Sequence, residues 1–137
     1  FHRVSLRPGK PIAVAELDDA IAIAIPGKPV GAHAVTSLVA RPFFTGQAEL
    51  PTITATVTHD VGLPTAEFTY AIPVSVSDGE AVPLGHAASA LSVYEETFDT
   101  SVLSSSTRAT RADGIVVTES ALSAGESVEI VPYPSLE

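Results

Sequence analysis

From Thr52 to Thr58 threonine and apolar side chains alternate without a break, and the same period of two returns at Phe68, Tyr70, Ile72, Val74 and Val76. Successive side chains on a strand point to opposite faces, so both stretches read as strands rather than amphipathic helices. Asp78-Gly79 after the second run is a tight-turn pair leading into Ala81-Val82-Pro83-Leu84, which predicts a hairpin. Pro73 has no N–H to give a ladder and predicts an edge position or a bulge in that run. Gly114-Ile115-Val116-Val117-Thr118 and Ser127-Val128-Glu129-Ile130-Val131 predict a second strand pair, joined through Leu122-Ser123-Ala124-Gly125-Glu126. Short strands in this order predict a small β-barrel over residues 47–137. Residues 85–110 are rich in Ser, Thr and Ala without a period, and a connection that long is expected to carry function.

The first 46 residues follow another pattern. Val4-Ser5-Leu6 and Ile12-Ala13-Val14 flank Arg7-Pro8-Gly9-Lys10-Pro11, a turn between two short strands. Ala20-Ile21-Ala22-Ile23-Ala24-Ile25 has a β-branched residue at every second position and no polar face, which predicts a central strand covered on both sides. After Pro26-Gly27-Lys28-Pro29, the residues Val30, Ala34, Val35, Leu38 and Val39 recur at helical spacing. Pro29 suits the first helical position, and Arg41-Pro42 is expected to stop the helix. A strand, strand and helix are a fragment of an α/β layer, and its uncovered sheet edge calls for further strands or a second copy of the chain.

Composition narrows the function classes. Sixteen acidic residues against seven basic ones give a formal charge of −9, which disfavours nucleic acid and anionic membranes as partners. Five of the seven cations, Arg3, Arg7, Lys10, Lys28 and Arg41, lie before residue 47, whereas Arg108 and Arg111 are the only two after it. An acidic, lysine-poor surface of this kind is halophile-like. With 45% hydrophobic residues and a mean hydropathy of +0.32 the chain is too apolar for a disordered acidic tail. No cysteine is present, which removes disulfides and thiolate metal sites and fits a reducing cytoplasmic setting. No apolar run reaches membrane-spanning length, and no basic and apolar leader opens the chain. The start at Phe1-His2-Arg3 and the lack of any methionine predict a part of a longer gene product.

Two groups of residues could carry chemistry. The two Pro-Gly-Lys-Pro turns gather Arg7, Lys10 and Lys28 near a helix start, where free N–H groups and the helix dipole suit a phosphate or another oxyanion. Read plainly, they are two turns with solvated lysines. Ser104-Ser105-Ser106-Thr107-Arg108, with Arg111 nearby, sets hydroxyls beside the only cations of the acidic part and could hold phosphate, or could be a polar loop. No Gly-x-Ser-x-Gly elbow, Walker-type loop or Gly-x-Gly-x-x-Gly occurs. His2, His33, His59 and His86 lack metal-ligand spacing, and Asp18-Asp19 and Glu95-Glu96 read as solvated pairs, so no metal site is expected.

Four segments, Arg7-Pro8-Gly9-Lys10-Pro11, Ala24-Ile25-Pro26-Gly27-Lys28-Pro29-Val30, Arg111-Ala112-Asp113-Gly114-Ile115-Val116-Val117 and Ala124-Gly125-Glu126-Ser127-Val128-Glu129-Ile130, stand in an order and spacing that resembles the C-terminal part of the molybdopterin molybdenumtransferase family, the MoeA and gephyrin E-domain type. The resemblance implies a mainly β fold: residues 1–46 as the C-terminal remnant of a MogA-like α/β domain, and 47–137 as a β-barrel-like C-terminal domain. It implies a cytoplasmic, homodimeric transferase of molybdenum cofactor biosynthesis that inserts molybdate into adenylated molybdopterin with magnesium. By the same resemblance Arg7, Gly9, Lys10, Pro26, Gly27, Lys28 and Pro29 would line the pterin-phosphate cleft, and Ser104, Ser105 and Arg108 would face the cleft of the partner. Lys28 stands where the family usually has asparagine, Gly31 stands where serine is common, and the stretch 86–107 is longer than usual. The family's Gly-Gly-x-Ser-x-Gly-x-x-Asp loop and most of its acidic metal ligands are not in this sequence, so the chain alone is expected to be inactive and to bind neither magnesium nor molybdate. The other reading is a non-catalytic dimerisation or partner-binding module of the same fold, and a tungsten-handling paralogue would look the same.

Overall fold

A computed structural model describes residues 6–8, 12–47, 49–64, 68–85, 96–99 and 111–133. Eight strands and one helical segment make up the described chain: β1 (Leu6–Arg7), β2 (Ala13–Glu16), β3 (Ile21–Ala24), the helical residues 29–45, β4 (Ile53–Val57), β5 (Thr69–Ser77), β6 (Glu80–Pro83), β7 (Gly114–Thr118) and β8 (Ser127–Pro132). The fold is mainly β, as the alternating runs predict.

Five strands close on themselves in the order β5, β6, β4, β8, β7 and back to β5, while β1 pairs with the first two residues of β5 on the edge opposite β7. The β5–β6 hairpin turns at Asp78 and Gly79, whose φ values of 51° and 76° place both central residues in the left-handed region that such a tight turn requires. Most neighbours are antiparallel, but β4 runs parallel to β6, with Thr56 N–H donating to Gly79 O and Thr58 N–H to Ala81 O. Closure comes from β5, which pairs with β7 along five residues from Tyr70↔Thr118 to Val74↔Gly114.

Closure also changes the meaning of Pro73. The sequence predicts an edge or a bulge there, yet β5 is the most paired strand of the barrel, and Pro73 lies opposite Ile115 in regular register. The ring is buried and the Pro73 carbonyl accepts the Leu84 N–H at 2.8 Å. Proline lacks only a donor, so its acceptor still serves the β6 side.

Register explains the apolar runs. Ile72, Val74, Val116, Val128 and Ile130 join Ala55, Val57, Tyr70, Ala81 and Phe98 in the main core. Ala71, Ile115 and Val131, one position away and therefore on the opposite face, join Leu6 and Ala34 in a second cluster with Leu38, Leu50 and Tyr133 at its margin. The helical segment thus packs on the outer face of the barrel through Ala34 and Leu38, while Val30 at its start reaches the main core.

That segment comprises α1 (Pro29–Val35), a π-helical turn (Thr36–Ala40) and α2 (Arg41–Thr45). Arg41-Pro42 does not stop it. The Arg41 N–H reaches back to Thr36 O, and this wider turn just before Pro42 opens the helix where the proline ring would otherwise crowd the Leu38 carbonyl. Termination falls to Gly46, whose φ of 70° and N–H to Pro42 O at 3.0 Å form a left-handed cap.

The first 25 residues also depart from expectation. β1 does not pair with β2; it runs parallel to β5 in the register Leu6↔Thr69 and Arg7↔Tyr70. β2 and β3 form a separate two-stranded antiparallel sheet, Ala13↔Ala24 to Glu16↔Ile21. The expected central strand is therefore an exposed one: Leu17, Ile21 and Ile25 are each about half exposed. Among the described residues the hairpin is left largely exposed, with only Val14 and Ile23 partly buried.

Candidate functional site

Arg7 ends β1 and is half-buried, with its Cζ over the Phe68 ring at 4.4 Å from the centroid. Among the described residues no carboxylate pairs with it. Pro26 is buried, Gly27 is exposed, and a side chain at Gly27 would meet nothing within 4 Å. Lys28 precedes the helix with extended backbone (φ −80°, ψ 137°), its carbonyl accepts the Ala32 N–H at 2.9 Å, and its side chain is exposed. Pro29 starts α1, and the first turn has neither a side-chain cap nor an acidic residue. A negative group there would meet no built-in competitor.

The two turns do not sit at the same end of one sheet, because Arg7 belongs to the barrel sheet and residues 26–29 follow the separate hairpin. Each has a neighbour at the same apolar cluster. Val30, directly after Pro29, and Phe68, beneath Arg7, both pack into the main apolar cluster. Gly9, Lys10, Ser104, Ser105 and Arg108 lie outside the described residues.

Residues that the sequence reading passed over also cluster at the end of the helical segment. A cleft of about 480 Å³ is lined by Arg41, Thr45, Gln47, Glu49, Leu50, Pro51, Pro132 and Tyr133. Arg41 donates from Nη2 to Pro132 O at 3.0 Å and so ties the helix to the last strand. The Tyr133 ring meets His33 edge-on at 4.9 Å, and burial of its hydroxyl pushes the phenol well above its ordinary pKa. The sequence signal for Phe68 was its place as the first apolar residue of the β5 run; for Arg41 it was masked by the proline that follows.

Among the described residues no three His, Asp or Glu side chains come together to hold a metal ion. The described residues thus offer no such group for a magnesium ion. No helix of the described residues is long and apolar enough to cross a membrane.

A closed five-stranded barrel carrying a helical segment on its outer face defines the class: a mainly β domain in which the helix and barrel share a core. Its particular form is MoeA-like. Two crystal structures of the molybdopterin biosynthesis MoeA protein from Pyrococcus horikoshii match with TM-scores of 0.71 and 0.67, at 22% and 17% identity, over 98% and 97% of this chain and 32% of each of those chains. A molybdenum cofactor biosynthesis protein from Pyrococcus furiosus matches with a TM-score of 0.69 at 15% identity, over 97% of this chain and 45% of that one. The chain thus spans about a third of the length of the P. horikoshii proteins, consistent with a C-terminal MoeA-like part. At these identities the likeness is one of fold. No family model matches the sequence, and no curated protein does.

Proposed function

We propose that the chain is the C-terminal part of a cytoplasmic molybdenum-cofactor transferase that inserts molybdate into adenylated molybdopterin. The observation that carries this reading is the fold match over nearly the whole chain to part of MoeA proteins. The four motifs named above support it: the first begins in β1, the second spans the start of the helix at Pro29, and the other two run into β7 and β8 of the barrel. In this reading residues 1–46 are the remnant of a MogA-like domain, and the missing strands of that domain cover the exposed β2–β3 hairpin.

The chain's own contribution is to bind and orient. Arg7, Gly9, Lys10, Pro26, Gly27, Lys28 and Pro29 form the anion-binding side of the cleft, where cations and free helix N–H groups offset the charge of the pterin phosphate. Ser104, Ser105 and Arg108 serve the cleft of the partner in a homodimer. Molybdate is substrate here, and the acids that hold magnesium belong to other parts of the whole enzyme.

Calorimetry tests this with the full-length parent protein and adenylated molybdopterin, comparing wild type with Arg7→Ala plus Lys10→Ala. The expected result is loss of binding in the double variant. Unchanged binding would move the ligand away from these turns. A second reading, a module that associates without chemistry, is favoured by the exposed apolar faces at Leu17, Ile21 and Ile25. Absence of binding by either protein, with self-association that ignores Arg7 and Lys10, would decide for it.

A further inference from the structure

We infer that Phe68 is a positioning residue that holds the Arg7 guanidinium as a preformed clamp for a phosphate-type oxyanion. This rests on the anion-cleft reading above and adds what fixes the cation in place.

Three observations carry it. Phe68 is packed against the main core, so its ring is a fixed platform. The register Arg7↔Tyr70 puts Arg7 across from the residue two positions beyond Phe68, on the same side of the strand, and its Cζ sits 4.4 Å from the ring centroid. Third, no carboxylate pairs with Arg7 among the described residues, thirteen of which are acidic. An aromatic ring offers its π face and no lone pair. Stacking therefore orients the guanidinium without consuming its N–H groups as a carboxylate would, and the planar fork stays free for two parallel bonds to one oxyanion. Lys28 has no such platform and remains a solvated point charge. Arginine suits position 7 better than lysine, since an ammonium over the ring would present no planar fork to the oxyanion.

Inorganic phosphate is the probe, and the 137-residue chain labelled with nitrogen-15 is the protein. Phosphate titration is expected to shift the Arg7 side-chain Nε–H signal. Phe68→Leu should weaken the apparent affinity about two- to fivefold, the range an exposed cation–π contact supports. Phe68→Tyr should restore it, because the ring face is kept, and in an Arg7→Lys background the effect of residue 68 should shrink, because an ammonium on the ring has no planar fork to orient. A structural role alone would also be rescued by tyrosine, but it would leave the effect of residue 68 the same whether arginine or lysine stands at position 7. If Phe68→Leu unfolds, the Phe68→Tyr and Arg7→Lys chains still decide. An Arg7 signal that ignores phosphate, or equal affinity for Leu, Tyr and Phe at 68 in folded chains, would overturn the inference. Phosphate coupling between 68 and 7 without adenylated-pterin binding by the parent would leave the clamp standing and remove the transferase reading. Pterin binding that needs Arg7 but not Phe68 would do the reverse.

Discussion

The carboxylate of Asp113 accepts the backbone N–H of Val76 at 2.7 Å. Its own N–H donates to Val74 O, and its carbonyl accepts the Tyr133 N–H, both at 3.0 Å. One residue therefore joins β5 to the start of β7 and the end of β8. The Ala-Asp-Gly segment that marks the family resemblance is thus a closing device of the barrel. Asp113→Ala should lower stability by about 1 kcal/mol, with Asp113→Asn losing less because its amide oxygen still accepts. Thermal unfolding of the two variants checks this, and equal melting of both with wild type would contradict it.

Gly114, the next residue, is required by space. A side chain there would meet Val131 O at 2.5 Å, Ile130 Cγ2 at 2.7 Å and Pro132 Cα at 3.0 Å. Two of these atoms are backbone of β8 and cannot swing aside. Gly114→Ala should therefore cost about 1–3 kcal/mol or more through forced separation of β7 and β8. Denaturant unfolding measures it, and a variant as stable as wild type would show that β8 yields there.

Much of this barrel can be read from local pattern, and the exceptions have a common cause. Period-two runs, the Asp78-Gly79 turn and the helix start at Pro29 are decided within a few residues, and each appears in the structure close to its expected place. Pro73, Pro42 and the Ala20–Ile25 run were misread because their meaning depends on partners far away in the chain. Pro73 keeps a free acceptor that Leu84 uses, Pro42 follows a widened turn, and the hairpin at 13–24 is largely exposed among the described residues. For the site, the sequence named Arg7 and the Pro26 to Pro29 turn but not what holds Arg7. Phe68 is sixty-one positions away, and only the parallel pairing of β1 with β5 brings the two together.

Phe98 shows what period-based reading misses in a Ser- and Ala-rich stretch. It is fully buried, stands edge-on to Tyr70 at 6.2 Å, and is tied by its N–H to Gly62 O at 2.9 Å. The Gly62 N–H in turn donates to Glu96 O at 2.7 Å. The one phenylalanine of that stretch was the available signal. Phe98→Ala should cost about 3–5 kcal/mol by emptying core volume, and Phe98→Leu distinctly less. Denaturant unfolding should show a lower midpoint for Ala than for Leu; the same midpoint for both would mean the core closes over the gap.

Tyr133 sets a limit on alkaline stability. Its hydroxyl is buried with no hydrogen-bond partner among the described residues, and that burial pushes the phenol above its ordinary pKa. The unfolded chain would release this proton near pH 10, whereas the folded chain holds it to higher pH. Protons are thus bound more tightly in the folded state, so the contribution is present below about pH 10 and is lost as pH rises beyond that. The loss approaches about 1.4 kcal/mol per pH unit for a single group. A phenolate absorbance titration should therefore show one tyrosine resisting ionisation until the fold opens. Tyr133→Phe keeps the ring that meets His33 and removes the orphan hydroxyl, so it should abolish that resistant signal and leave stability at neutral pH unchanged or higher by about 1 kcal/mol. A Tyr133→Phe chain that is clearly less stable at neutral pH would show that the hydroxyl has a partner in solution.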